Sequence, residues 1–150
     1  MDNYWLKKQK EFDISEHEDR IDKLISKIFN HSFMSNSKWK KLFTALDNED
    51  IVLNQINLKL VDRDIPFLSY MPKSEDLEEF WISEGTNSYN YFYKEIEWLE
   101  LTWVGKIEGY KSIPFKHYHQ DIEKAIELVK TIGSFRYELL STGLRIYGYE

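Results

Sequence analysis

Residues 89–103, YNYFYKEIEWLELTW, form the densest aromatic and apolar run in the chain. A β-strand points alternate side chains to opposite faces. Threaded as one strand, the run places Phe92, Ile96 and Trp98 on one face, interrupted by Lys94. Tyr89, Tyr91, Tyr93, Glu95, Glu97, Leu99 and Leu101 fall on the other. The first face suits a core, and the tyrosine-glutamate face suits water or a partner. The adjacent pair Trp98-Leu99 breaks the alternation, which a β-bulge or the covering of both faces near that point explains. A short helix competes, because Ile96, Leu99 and Trp103 also fit helical spacing. The aromatic and β-branched content favours the strand. The expectation is therefore a central antiparallel strand with the remaining chain packed around it.

Working outward, 150 residues make one domain the simplest organisation, able to bury roughly 70% of the surface that the unfolded chain exposes. A hydrophobic fraction of 42% and an aromatic fraction of 16% supply a core and argue against disorder. The chain has no cysteine, which removes disulfides, thiol catalysis and cysteine-ligated metals. With no apolar leader at the N-terminus and no membrane-length apolar stretch, the expected location is the cytoplasm. The net charge of −6 disfavours nucleic acid. The basic clusters Lys7, Lys8, Lys10 and Lys38, Lys40, Lys41 are short and sit beside acids. An acidic surface favours a basic protein partner instead.

Before the central run, Ser15 and Glu18 have the spacing of a capping box. Ile21, Leu24, Ile25 and Ile28 continue at helical spacing, predicting a helix from about 16 to 29. Asn36 or Ser37 caps a second helix whose apolar stripe is Trp39, Leu42, Phe43 and Leu46. Segments 51–61 and 65–71 then read as a hairpin around Asp62-Arg63-Asp64. Residues 79–83 add a third strand, giving a four-strand meander with the central run. Residues 104–120, punctuated by glycine and proline, predict a long loop with one short strand. Asp121 opens a third helix with the stripe Ile122, Ala125, Ile126, Val129 and Ile132, closed by Gly133. Residues 135–139 and 144–149 form a last hairpin around Ser141-Thr142-Gly143. The fold class is α+β: a single domain with an antiparallel sheet of about five or six strands and three helices packed on it. Residues 1–35 read as a helical extension and 36–150 as the core.

Two places invite chemistry. Glu95 and Glu97 are paired carboxylates on one strand face, the residue type for acid–base work when one member is desolvated. A solvated strand face carries the same pattern. His117 and His119, at i and i+2 on an extended segment, point the same way and are candidate metal ligands. No third fixed ligand accompanies them, and the same residues suit a polar loop before a helix. His17 and His31 have no partner nearby in sequence and read as surface residues. A glycine-rich phosphate loop, a nucleophile elbow and an H-E-x-x-H helix are all missing from the sequence.

Three fragments carry a resemblance: Asn36-x-Lys38-Trp39, then Glu95-Ile96-Glu97-Trp98-Leu99, then Gly143-Leu144-Arg145-Ile146-Tyr147-Gly148-Tyr149. Together they resemble a family of small, uncharacterised bacterial proteins over roughly 36–150, for which no active-site residues carry over. The chain also looks like the immunity proteins of bacterial toxin systems, which are small, acidic, cysteine-free α+β domains. That resemblance implies a non-catalytic module that masks a basic partner; no cofactor is expected, and a self-complementary strand edge could give a homodimer just as well. The expected surface is Tyr91, Tyr93, Glu95 and Glu97 with the loop at Glu108 and Tyr110. The alternatives are a small hydrolase or metal-dependent enzyme using His117, His119 and a strand carboxylate, and a small-ligand-binding module with an aromatic pocket.

Overall fold

The computed structural model describes residues 4–83, 90–107 and 116–150. Helix α1 (Tyr4–Ile28) is followed by α2 (Asn36–Leu46). The strands β1 (Gln55–Leu60) and β2 (Phe67–Tyr70) come next, then the short pair β3 (Trp81–Ile82) and β4 (Tyr91–Phe92). Strand β5 (Ile96–Thr102) precedes the ribbon β6 (Val104–Ile107) and β7 (Lys116–His119). Helix α3 (Ile122–Ile132) and the hairpin β8 (Tyr137–Leu139) and β9 (Gly143–Tyr147) complete the chain. The architecture is a single α+β domain.

The main sheet has five strands in the order β2-β1-β5-β9-β8, every neighbouring pair antiparallel. Strand β5 is its centre, as the aromatic run predicts. Its register explains the core. Leu58 lies opposite Leu99, which lies opposite Ile146, and Ile56–Leu101–Leu144 forms the parallel row. All six of these side chains are fully buried. They join Trp39, Leu42, Phe43 and Leu46 of α2 and Ile122, Ala125 and Val129 of α3 in one cluster. Both helical stripes are thus the ones that the 3.6-residue spacing predicts.

The other sheet face has its own rows. Asn57, Glu100, Arg145 and Glu138 lie side by side across four strands. Lys59, Trp98 and Tyr147 form the next row. Arg145 holds the buried Glu100 at 3.2 Å and stacks its guanidinium 3.8 Å from the Trp98 ring centroid. Charge, hydrogen bonding and cation–π attraction converge on this one side chain.

Buried Gln120 stitches the sheet to the start of α3. Its side-chain oxygen accepts from the backbone N–H groups of Asn54 (2.9 Å) and Gln55 (3.0 Å). Its amide nitrogen donates to the carbonyls of Gln55 (3.1 Å) and Thr102 (2.8 Å). Next to it the Asp121 carboxylate accepts from the Val52 N–H at 2.8 Å rather than capping α3. These bonds satisfy backbone groups where β1 begins and β5 ends, which burial would otherwise leave unpaired.

Several sequence expectations need correction. Helix α1 runs unbroken from Tyr4, so Ser15 lies inside it and caps nothing. Residues 4–14 contain no Gly or Pro, and Leu6, Lys7, Lys8, Gln9, Lys10 and Glu11 form an unbroken run of good helix formers, which favours continuation. Helix α2 is capped by Ser35, whose hydroxyl accepts from the Lys38 N–H at 3.1 Å, not by Asn36 or Ser37. The four-strand meander is absent from the described residues: β3 pairs with β4 in a separate two-stranded ribbon, joined otherwise by a single bridge from Ile82 to Leu77. The expected long loop after Trp103 is instead the antiparallel ribbon β6–β7 at its two ends. The run 89–103 is not one strand either. A 3₁₀ turn at Tyr93–Glu95 divides β4 from β5, and the β1–β5 register slips so that Leu60 faces Ile96 while Lys59 faces Trp98. That irregularity is the expected bulge, set slightly earlier in the strand.

Candidate functional site

The 3₁₀ turn Tyr93–Glu95 decides where the expected surface residues go. A strand would have sent Tyr91, Tyr93 and Glu95 outward together. The turn sends them inward, leaving them 7%, 0% and 3% exposed. The Tyr93 hydroxyl donates to the Glu78 carbonyl at 2.7 Å, and burial, with the Glu78 charge nearby, pushes its pKa up to about 12. Tyr91 and Tyr93 belong to the core cluster. Glu97 is half-buried on the other sheet face, with Lys59 at 3.4 Å. Glu108 and Tyr110 lie outside the described residues. The proposed outward tyrosine-glutamate face is therefore not present at Tyr91, Tyr93 and Glu95, because the turn reverses their orientation.

Glu95 is a buried carboxylate with a defined setting. One oxygen accepts from the Phe92 N–H at 2.6 Å, closing the turn. The other lies 2.6 Å from Nε2 of His17, which reaches down from α1. Nη2 of Arg20 lies 2.7 Å from Nδ1 of the same ring. Arginine can only donate, so Nδ1 accepts and the imidazole proton sits on Nε2, donating to Glu95. Arg20 also approaches Asp62 at 3.8 Å, in the turn after β1.

The neighbouring residue extends the seam along α1. Lys94 Nζ donates to Glu18 at 2.8 Å and pairs with Asp22 at 3.0 Å, one helical turn apart. Burial pulls the Lys94 pKa down, but the hydrogen bonds to Glu18 and Asp22 outweigh it and hold the value above normal. The Tyr149 hydroxyl donates to the Lys94 carbonyl at 2.8 Å, and burial, reinforced by Asp22, pushes its pKa up to about 12. Helix α1 thus docks largely through charged and hydrogen-bonded side chains. Ile21 is its one fully buried residue among those described.

The chain's other histidines fare differently. His117 and His119 sit on β7, both exposed. Among the described residues they join no group of three metal-ligating side chains. His17, read from sequence as an unpartnered surface residue, is instead the residue that meets Glu95. One cleft of about 500 Å³ near the α2 C-terminus is lined by a mixture that includes Leu46, Asp47, Asn48, Tyr70 and Lys73.

A family model, DUF6678, described as a family of unknown function, matches residues 21–150. The chain belongs to this family. No curated protein and no solved structure gives a match. The DUF6678 span begins at the buried Ile21 in the middle of α1, so it includes Asp62, Lys94 and Glu95. His17, Glu18 and Arg20, along with the exposed first turns of α1, precede it. The three fragments that carry the resemblance all lie within the DUF6678 span. The glycines of the last one have a steric reason: a Cβ at Gly148 would collide with the Ile96 carbonyl oxygen, and one at Gly143 with that of Leu101.

Proposed function

We propose that this DUF6678 chain is a non-catalytic protein-binding module that engages a basic protein partner, in the manner of an immunity protein covering a toxin. The contact surface is the outer stripe of α1. The observation that carries this reading is the exposure of Trp5 and Phe12, at 74% and 58%. They stand seven residues apart on a helix, and Glu16 and Asp19 continue the same stripe at the next +4 and +3 steps. Ile21, Leu24 and His17 face the body from the opposite side. Residues 11–22 carry six acids against one arginine, so the aromatic anchors are followed along the helix by negative charge. Aromatic side chains are the common anchors of protein interfaces, and complementary charge speeds and orients docking. The tyrosines expected from sequence to do this work are interior, and the aromatic-acidic surface moves to α1.

Capture of the tagged protein from its own cells is expected to return a basic partner in near-equal amount, released by salt. The double variant Glu16→Lys, Asp19→Lys should lose it by about tenfold or more, since each reversal replaces an attraction by a repulsion. Undiminished capture by that variant overturns the assignment of the surface.

A further inference from the structure

We infer that His17, Asp62 and Glu95 form a binding site for a first-row divalent metal ion of the zinc type. This inference is independent of the partner surface, which lies on the opposite side of α1.

Three segments remote in sequence bring these side chains together: α1, the turn after β1, and the 3₁₀ turn before β5. One imidazole nitrogen and one carboxylate oxygen from each acid all lie within 4.8 Å of one another. Metal bonds of about 2.1 Å in a tetrahedral shell place ligand atoms about 3.4 Å apart. Among the described residues no other group of three His, Asp or Glu side chains gathers its ligand atoms this closely.

The chemistry of the donors agrees with the geometry. Mixed imidazole and carboxylate donors suit zinc and its neighbours better than magnesium or calcium, which prefer oxygen alone. Three protein ligands leave one tetrahedral position for water or a further ligand. The bond from the Phe92 N–H to the second Glu95 oxygen, at 2.6 Å, holds that carboxylate in place as an outer-shell partner does.

Charge points the same way. Two carboxylates around a neutral imidazole carry two negative charges, and Arg20 supplies one positive charge between His17 and Asp62. Its side chain is 67% exposed, so it can swing into solvent as an ion enters. A divalent cation then balances both carboxylates. As Arg20 leaves, the ring proton of His17 moves to Nδ1, which frees Nε2 to take the ion while the imidazole stays neutral. The ion would cross-link α1 to the sheet through a residue that precedes the DUF6678 span.

The test uses the full chain stripped with a chelator and titrated with zinc chloride by calorimetry. The expected result is one equivalent bound and a raised unfolding midpoint. His17→Gln keeps an amide donor toward Glu95, and Asp62→Asn keeps the shape of the turn. Each is expected to weaken binding by about 100-fold or more, beyond the 10–100-fold of an outer-shell change. His117→Ala with His119→Ala should leave it unchanged. No saturable zinc binding by the wild-type chain overturns the inference, and so does stoichiometric binding that survives both His17→Gln and Asp62→Asn.

Discussion

Gln120→Ala is expected to lower stability by about 4 kcal/mol, a large part of the roughly 5–15 kcal/mol that holds a domain of this size together. The side chain is 4% exposed and makes four backbone hydrogen bonds, two as acceptor and two as donor. Alanine leaves the N–H groups of Asn54 and Gln55 and the carbonyl of Thr102 without this partner in a region with little access to water. Each unsatisfied group costs about 1–3 kcal/mol, and relaxation or an entering water recovers part of the sum. Gln120→Glu separates this cause from simple loss of volume. The carboxylate still accepts from both N–H groups but faces the two carbonyls without a proton to donate. It should therefore remain well below the wild type near neutral pH. Thermal unfolding checks both, with an expected fall of about 10 °C for the alanine variant. A fall within two degrees would show that the stitch between β1, β5 and α3 matters little.

Arg145→Ala is expected to cost about 3 kcal/mol. The substitution leaves Glu100, at 2% exposure, without the guanidinium at 3.2 Å that balances it. It also removes the cation stacked 3.8 Å from the Trp98 ring centroid. Loss of one member of a buried pair is costly because the other charge stays behind. The double variant Arg145→Ala, Glu100→Gln should therefore regain part of the loss, although it removes more groups than the single one. Arg145→Lys restores the charge but not the flat, forked donor, and should fall between. Denaturant unfolding with a double-mutant cycle measures the coupling. If the two substitutions simply add, the row from Asn57 to Glu138 does not act as a unit.

The parts of this fold that local periodicity specifies were open to a sequence reading. The stripes of α2 and α3 follow helical spacing, and each stripe is a buried face. The hairpins β1–β2 and β8–β9 follow from apolar runs separated by polar or glycine-containing links. What alternation misled was the segment Tyr91–Glu95. Three residues of 3₁₀ turn shift the side-chain phase without leaving a proline or glycine to mark it. Burial of Tyr91, Tyr93 and Glu95 follows from that phase shift, and with it the loss of the surface they were expected to form.

The candidate site was less legible, for a different reason. His17 and Glu95 are 78 residues apart, and neither has a local partner that marks it as special. Their meeting depends on the flank of α1 that carries His17 facing the body and on the turn pointing Glu95 inward. A capping box at Ser15 and Glu18 would have started the helix just before His17. The side chains that dock α1 are charged and spaced along one flank, a pattern that solvent-facing helices share. The exposed Trp5 and Phe12, by contrast, stand among charged residues in the sequence, and only the continuous helix puts them on one stripe with Glu16 and Asp19.

A photo-crosslinking amino acid placed at Phe12 or at Tyr70 tests the account most directly. Both positions are well exposed, at 58% and 78%, one on α1 and the other on the edge strand β2. Irradiation in the protein's own cells is predicted to join the chain to a basic protein from position 12 and not from position 70. Crosslinks from position 70 with none from position 12 would contradict the assignment and place the partner on the sheet.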